Sequence, residues 1–410
     1  MSSPPDTEQQ VWAPAGRTVG AVCAVGILVV GQLYVVLPVL NRLALDWDTA
    51  KSAATWTTTA FGLAYGAGFL VTGPLSDRWG RRPVIVGGLI ATVLSSLIVA
   101  LAPGLGTGLA ARILQGLTAS FFAPAAFAYL SERIAPERRI FALTCLTSSF
   151  LAAGVVAQVL AQLIGNAWGW HAIFIAGALA FVVSAVVLQV VLEGEAKAEG
   201  KTTAQSAGFG ETLRTVFAPF AALLRQGRLV LLYLSCLAVL GSFVGLYTGI
   251  QLAPPEGVGS SNGALLALRA SAIPAMIAVP LLAGRLGVIA PHTRVIVALG
   301  IAGIAAAVTA IPFGGVWVAV WLLVFVAAIA VAAPAAVQAI AAQAGAARGA
   351  ATALYTFALF VGASAGPQVA NLFAYSGYSA VALAIAGFTL AGAALAYASA
   401  RGRGVITTLV

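Results

Sequence analysis

The sequence contains little charge. Only 8% of its 410 residues are Asp, Glu, Lys or Arg, whereas soluble domains carry about 25%. Apolar residues make up 61%, and the mean hydropathy is +1.00. This composition excludes a soluble globular protein and predicts an integral membrane protein. The apolar residues form long continuous runs rather than short alternating segments, which excludes a β-barrel and leaves helices as the spanning structure.

Residues that carry chemistry are also scarce. There are two histidines, His171 and His292, and three cysteines that lie in different apolar runs without Cys-x-x-Cys spacing. We therefore predict no metal site, no disulfide and no cofactor. The segment "GASAG" at 362–366 matches the Gly-x-Ser-x-Gly motif of hydrolases, but Ser364 falls within an apolar run rather than at a strand–turn–helix junction. The pattern is not typical of an enzyme.

Twelve apolar runs are long enough to cross a membrane. A bilayer core of about 30 Å requires about 20 apolar residues per helix. The runs cover residues 18–39, 53–75, 83–102, 104–131, 140–165, 168–192, 229–251, 262–284, 294–313, 316–341, 349–373 and 378–400. The predicted fold class is therefore an all-α membrane protein with twelve transmembrane helices.

Positive charge is distributed unevenly between the two sides of these helices. With both termini in the cytoplasm, all but four of the 21 Lys and Arg residues fall in cytoplasmic tails and loops. Arg42 and Lys51 lie outside, and Arg112 and Arg269 lie within apolar runs. Cytoplasmic loops carry the basic excess in membrane proteins, so we predict a multi-pass protein of the cytoplasmic membrane with both termini inside. The net charge of +9 is thus a topology signal and does not indicate nucleic-acid binding.

The chain contains an internal repeat of about half its length. Residues 73–90 align without gaps on 284–301, and "APAA" at 123–126 recurs at 333–336, an offset of 210 residues. Because the two alignments have nearly the same offset, they predict a duplicated six-helix unit.

The repeat implies two pseudo-symmetric six-helix bundles. We expect the bundles to cover residues 18–192 and 229–400, between cytoplasmic tails at 1–17 and 401–410. A cytoplasmic linker at 193–228 joins them and ends in a predicted amphipathic interfacial segment, "TLRTVFAPFAALLRQG".

The turn between the second and third helices concentrates charge in this apolar chain. Its sequence, "GPLSDRWGRR" at 73–82, together with the twelve helices and two halves, resembles the major facilitator superfamily over the whole chain. "RILQG" at 112–116 resembles the Arg-x-x-Gln-Gly motif of its drug-efflux branch. The resemblance implies a monomeric secondary active transporter in the lipid bilayer. It would move a small-molecule substrate by alternating access, as the twelve-helix drug and sugar efflux permeases do.

The resemblance assigns this turn to gating. The motif residues are Gly73, Leu75, Asp77, Arg78, Gly80, Arg81 and Arg82. Gly73 and Gly80 permit close backbone approach and a tight turn. In the family the motif Asp holds the outward-facing state against helix 11, and Asp77 inherits this role. The repeat places Val288 opposite Asp77, so we expect the second turn to be scaffold; the alternative for Arg81 and Arg82 is a positive-inside anchor.

The sequence does not identify a coupling ion directly. None of the twelve acidic residues lies inside an apolar run, although proton antiporters usually protonate a carboxylate within the bilayer. Protons remain a candidate coupling ion, through Asp77 or Glu132 at helix ends with Arg112 as partner. Residues 154–158, "GVVAQ", also lack the Gly-Pro motif that antiporters of the superfamily favour in helix 5, so export over import follows from the resemblance alone.

Two arginines at matching depth predict a positive substrate cavity. Arg112 and Arg269 lie about 10–12 Å below the outer surface, where an unpaired charge should face the bundle interior. Such a cavity favours anionic, zwitterionic or neutral polar compounds over lipophilic cations. The neutral hydrogen-bonding residues predicted beside them are Gln32, Tyr34, Gln115, Gln158, Tyr247 and Gln251. The alternative is that Arg112 hydrogen-bonds helix carbonyls and polar neighbours and that Arg269 snorkels outward.

Efflux of drug-like compounds or metabolites is the leading functional interpretation. Sugar or organic-anion transport is the second. A non-transporting membrane sensor on the same fold is the alternative from another class, although the short loops offer it little to signal with.

The gate assignment predicts the effect of Asp77→Asn. Because Asp77 should stabilise only one of two global states, the variant should depress transport while folding and membrane insertion stay nearly intact. Transport is measured in cells with matched expression. Wild-type turnover in a well-expressed variant would leave the turn as a topology anchor only.

The missing intramembrane carboxylate predicts unusual coupling. Transport should depend weakly on the pH gradient, or its dependence should pass through Glu132 or Asp77. The measurement is uptake or efflux at imposed pH gradients with and without an uncoupler. Steep proton dependence that survives both Glu132→Gln and Asp77→Asn would contradict this prediction.

Overall fold

The computed structural model describes residues 12–193, 218–258, 261–276, 278–279 and 288–401. It leaves out the side chains of Pro74, Asp77, Ile140, Leu151, Asn262, Ala346 and Arg348. The carboxylate of the predicted gate residue, most of the predicted linker and the first part of the repeated turn therefore lie outside the described residues.

The described residues form helices that match the twelve predicted runs. They are α1 Ala15–Gly31, α2 Trp56–Trp79, α3 Arg81–Ala100, α4 Leu105–Ala119, α5 Pro136–Trp168, α6 Trp170–Val191, α7 Gly227–Leu252, α8 Asn262–Ala270, α9 Pro291–Thr309, α10 Gly315–Ala341, α11 Arg348–Phe373 and α12 Tyr378–Ala400. Within the described part of the chain, nine helices are long and apolar enough to cross a membrane. Two shorter apolar helices correspond to α1 and α8, and α2 has 24 residues.

Three of the predicted continuous helices are interrupted. After α1 the chain turns and continues as a 3₁₀ helix, Leu37–Val39, and a short helix, Leu40–Asp46. After α4 it turns and continues as Ala123–Arg133, and after α8 it turns and resumes as a helix at 273. Each second piece has a proline near its start, at Pro38, Pro124 and Pro274. Proline lacks an N–H donor, so it is favoured in a first turn and interrupts a continuous helix.

The two halves repeat the same helix pairs. We call α1–α6 with their connections the N-half and α7–α12 the C-half. In the N-half, α1 packs on α5, and α3 packs on α4 and α6. Six helices later, α7 packs on α11, and α9 packs on α10 and α12. The recurrence of the pairs confirms the two pseudo-symmetric six-helix bundles expected from the sequence repeat.

Alternating helix directions give the molecule two different ends. We call the end where odd-numbered helices begin the arginine-rich face, and the other end the opposite face. The described arginines of the arginine-rich face are Arg17, Arg78, Arg81, Arg82, Arg133, Arg138, Arg139, Arg225, Arg228, Arg294 and Arg401. The opposite face has the helix ends near residues 31–56, 100–105, 168–170, 252–262, 309–315 and 373–378.

Glycines permit close helix contacts within and between the halves. A Cβ atom on Gly362 would lie 2.0 Å from the carbonyl oxygen of Leu237, and one on Gly366 would lie 2.0 Å from that of Gly241. At these two glycines, α11 packs directly against the backbone of α7. Between the halves, a Cβ atom on Gly62 of α2 would lie 2.4 Å from Ser364 Oγ of α11. The "GASAG" segment is therefore packing surface on a helix.

The α7–α11 contact predicts a strong effect of Gly366→Ala. The added methyl group meets backbone rather than a flexible side chain, so overpacking should cost about 1–3 kcal/mol and lower the melting temperature. Gly300→Ala on α9 is the matched control, because a Cβ atom there meets none of the described atoms within 4 Å, and it should be neutral or stabilising. Thermal unfolding of the purified protein in detergent measures both. Equal melting temperatures would contradict the close contact.

Candidate functional site

A small cavity of about 20 Å³ lies between the two halves. Its walls come from α5 and the turn after α1 in the N-half, and from α7, α10 and the helical piece after α8 in the C-half. The lining residues are Tyr34, Phe150, Leu240, Phe243, Met276, Val326, Ile329 and Ala330. The phenolic oxygen of Tyr34 is the polar side-chain group in a wall that is otherwise aromatic and aliphatic. A cavity of this size has room for about one water molecule, so a larger ligand would enter only if the halves separated.

Aromatic contacts close the N-half against the C-half beside this cavity. The rings of Tyr34 and Phe243 meet edge to face with centroids 5.7 Å apart, and those of Phe243 and Tyr247 are 4.8 Å apart. Gly154 of α5 makes room for them, because a Cβ atom there would lie 2.9 Å from the Phe243 ring. The aromatic layer therefore depends on a small residue in α5.

A fully buried guanidinium joins the two halves on the opposite-face side of this layer. Arg269 of α8 is 0% exposed. Its Nη1 donates to Oε1 of Gln162 on α5, and its Nη2 donates to Oε1 of Gln251 on α7. We call these three residues the Arg269 cluster. Both partners are neutral amides, so the cluster keeps the positive charge of Arg269 uncompensated by any described carboxylate.

Polar atoms without partners accompany the Arg269 cluster. Arg269 Nε, the Tyr247 hydroxyl and Gln158 Oε1 are buried and find no hydrogen-bond partner among the described residues. Gln158 and Gln162 are four residues apart on α5, as Tyr247 and Gln251 are on α7, so each pair shares a helix face. Buried polar groups are normally hydrogen-bonded. This combination of unused donors and acceptors is what a ligand with polar groups would satisfy.

A second buried guanidinium lies inside the N-half. Arg112 is 0% exposed and donates to the carbonyl oxygens of Thr57 at 3.2 Å and Gln32 at 2.8 Å, and to Gln115 Oε1 at 2.5 Å. Its carbon Cζ lies 4.3 Å from the centre of the Phe61 ring. Gln115 in turn donates to Gln32 Oε1 and Ser96 Oγ. This Arg112 cluster ties α1, α2, α3 and α4 together.

The structure thus divides the predicted cavity residues into three places. Tyr34 lies in the cavity wall. Gln32, Arg112 and Gln115 lie in the Arg112 cluster, where Arg112 bonds helix carbonyls as the alternative interpretation described. Gln251 and Arg269 lie in the Arg269 cluster, with Gln158 and Tyr247 beside them. Arg269 is buried rather than snorkelling outward, because two amide oxygens accept from it inside the protein.

Sequence reasoning missed several residues of the site. Gln162 is the N-half partner of Arg269, and its spacing of four residues from Gln158 could have identified it. The apolar lining residues, such as Phe150 and Met276, carried no signal because they resemble any other residue of an apolar run.

A second contact between the halves lies near the opposite face, between α2 and α11. Gln368 Nε2 donates to the hydroxyl oxygens of Thr55 at 3.3 Å and Thr59 at 2.9 Å. The Thr59 hydroxyl donates to the carbonyl oxygen of Ser364 at 2.8 Å. We call these residues the α2–α11 clasp. All its groups are neutral, so it can open without separating opposite charges.

At the arginine-rich face, the described motif residues bind within the N-half. Gly80 has a φ of 90°, so the turn between α2 and α3 favours glycine there. Arg81 forms an ion pair of 2.8 Å with Glu132, and Arg82 donates to the carbonyl oxygen of Gln189. No described atom lies within 4 Å of a Cβ atom on Gly73, so the close approach expected at Gly73 is absent. The coupling candidate Glu132 is therefore an exposed partner of the turn.

Comparison with known proteins gives one family. The family model described as Major Facilitator Superfamily matches residues 22–367. The human organic anion transporter MFSD10 (TETRAN) has a similar structure, with a TM-score of 0.67 and 16% identity. That similarity covers 93% of this chain and 99% of the other, and at this identity it shows the fold alone.

Curated relatives match over shorter stretches. A multidrug resistance protein B homolog of Mycobacterium tuberculosis is 26% identical over 176 residues, or 43% of this chain and 32% of the relative. A chloramphenicol resistance protein of Pseudomonas aeruginosa is 35% identical over 139 residues, or 34% and 33%. A bicyclomycin resistance protein homolog of Haemophilus influenzae is 26% identical over 165 residues, or 40% and 42%. The matched part of this chain thus spans about a third to two fifths of these relatives.

Proposed function

Because the chain belongs to the major facilitator superfamily, we propose that it is a secondary active transporter that exports drug-like compounds or metabolites across the cytoplasmic membrane. The relatives are named for resistance to multiple drugs, to chloramphenicol and to bicyclomycin, and this supports export of such compounds. The cavity between two pseudo-symmetric halves supports alternating access, because rocking of the halves would expose it to either face in turn.

The single observation that carries the substrate class is the buried charge of Arg269. Its guanidinium has only neutral partners among the described residues, and its Nε has none. A buried cation of this kind attracts an anionic or polar ligand and repels a cation. The apolar cavity next to it, enlarged by separation of the halves, would hold the rest of the molecule. We therefore assign anionic, zwitterionic and neutral polar compounds to this site, rather than lipophilic cations.

Organic-anion transport is the second candidate, and the same residue supports it. The structural neighbour is named as an organic anion transporter. Import and export of an anion would use the same site. The direction of net transport therefore distinguishes an importer of organic anions from an exporter. Measuring net flux of labelled compounds in cells and in inverted vesicles provides that distinction.

Gating and orientation complete the proposal. The arginine-rich face is assigned to the cytoplasm, because cytoplasmic loops carry the basic excess, and both termini are assigned there with it. Asp77, at the cytoplasmic end of α2, is the proposed gate residue. Its turn is held by the ion pair of Arg81 with Glu132, in the helix Ala123–Arg133, and by the bond from Arg82 to α6. Protons are a candidate coupling ion, and a monomer is the proposed functional unit.

The proposal predicts the substrate profile of Arg269→Ala. A hydrogen bond to a charged group contributes about 1.5–3 kcal/mol, so anionic substrates should lose roughly tenfold or more in transport efficiency while neutral ones persist. The measurement is a resistance and transport panel in a susceptible strain, normalised to expression. Arg42→Ala is the matched control, since it removes a positive charge near the same face from a residue bonded to the Gly165 carbonyl.

Two results would contradict this assignment. One is a panel in which the substrates are mainly quaternary ammonium or dye cations and Arg269→Ala has no effect. The other is a protein that moves no compound of the panel in either direction, which would favour a sensor.

A further inference from the structure

The two contacts that join the halves near the opposite face are counterparts in the internal repeat. The α2–α11 clasp joins the second helix of the N-half to the fifth helix of the C-half. The Arg269 cluster joins α8, the second helix of the C-half, to α5, the fifth helix of the N-half. At the repeat offset of 210 residues, Arg269 stands where the N-half has Thr59. One contact is therefore neutral, and its counterpart contains a cation.

We propose that an anionic ligand opens the opposite face by replacing Gln162 as the partner of Arg269. This inference rests on the proposed transport function and deepens it. Arg269 then has two roles, because it binds the acidic group of the substrate and it holds the two halves together when no substrate is present. The ligand class is an organic anion with a carboxylate or similar acidic oxygen group.

The arrangement of partners makes this exchange directional. Arg269 donates to Gln162 of the N-half and to Gln251 of its own half. Replacing Gln162 breaks the contact between the halves, whereas keeping Gln251 holds the guanidinium in place on the C-half. An anionic oxygen is a stronger acceptor for a guanidinium than a neutral amide oxygen, so the exchange favours the ligand.

The buried surroundings strengthen the preference for an anion. Arg269 is fully buried, and its Nε donor has no partner among the described residues. The Tyr247 hydroxyl, in the same stripe of α7 as Gln251, is also unpartnered. A charged group in a water-poor environment gains from a partner of opposite charge. An acidic group bound there would accept from donors that are unused when the site is empty.

The apolar cavity defines the rest of the ligand. Met276, in the cavity wall, lies seven residues after Arg269, in the helical piece that follows the turn after α8. The α5 and α7 stripes likewise pass from amides to aromatic rings towards the cavity. An amphipathic anion would thus place its acidic group towards the opposite face and its aromatic or aliphatic body towards the cavity.

The remaining contact at this face contains no charged group. The α2–α11 clasp uses hydroxyl, amide and carbonyl groups. Both ion pairs among the described residues, Arg81–Glu132 and Arg133–Glu193, lie within the N-half. Once the Arg269–Gln162 bond is exchanged, the described contacts between the halves are therefore neutral.

Two substitutions that place the same carboxylate on Arg269 test the inference. Gln162→Glu creates an ion pair between the halves, whereas Gln251→Glu creates one within the C-half. The readout is the rate at which a maleimide labels Leu265→Cys in purified protein whose three natural cysteines are replaced by alanine. Leu265 is a buried α8 residue one turn nearer to the opposite face than Arg269, so its labelling reports opening there.

The two variants should differ in opposite-face opening. We expect Gln162→Glu to slow labelling by about tenfold and to abolish transport of anionic and neutral compounds alike, because it locks the halves together. Gln251→Glu should label at the parent rate and lose only anionic transport. Equal labelling rates in the two variants would overturn the role of Arg269 in holding the halves together.

An aromatic acid and its neutral amide test the exchange itself. In the parent, 2-naphthoate should speed labelling of Leu265→Cys, and 2-naphthamide should not. Gln251→Glu should remove the response to 2-naphthoate. A parent that responds to both compounds, or to neither, would overturn the anion exchange. Failure of the proposed transport gives a different result, in which no panel compound is moved although the labelling difference between the variants persists.

Discussion

A positive charge inside a membrane protein must find its partners within the protein, and this constraint organises the centre of the molecule. The apolar runs contain two arginines and no acidic residue. Each guanidinium is therefore held by neutral oxygen atoms, which are carbonyls and an amide for Arg112 and two amides for Arg269. Neutral acceptors satisfy the N–H groups but leave the charge itself uncompensated.

The same constraint gives the two arginines different consequences. Arg112 bonds only to N-half residues, so its cluster ties helices of that half together. It holds the carbonyl of Gln32, where α1 ends, and the α2 carbonyl of Thr57. Arg269 bonds to both halves, so its bonds must change if the halves move. Both arginines thus donate to neutral oxygen atoms. They differ in which helices supply those acceptors.

Other contacts lie within the C-half, between the halves and at the arginine-rich face. Gly362 and Gly366 pack α11 against α7 within the C-half, while α11 also forms the neutral clasp with α2. At the arginine-rich face, Arg81 and Arg82 bind the α2–α3 turn to the end of the helix Ala123–Arg133 and to the end of α6. Both ion pairs among the described residues thus lie within the N-half rather than between the halves.

The sequence by itself indicated the all-helical membrane fold and its division into two halves, because long apolar runs, arginine placement and the repeat are local or periodic signals. It also identified Arg112 and Arg269 as buried charges at the same depth. Only the tertiary structure decided that Arg112 stays within one half while Arg269 bridges two, and that Gln162 is the bridging partner. The aromatic and aliphatic cavity wall also emerged only there. The reason is that a hydrogen-bond partner far away in the chain depends on how helices face each other, and residue spacing along one helix does not contain that information.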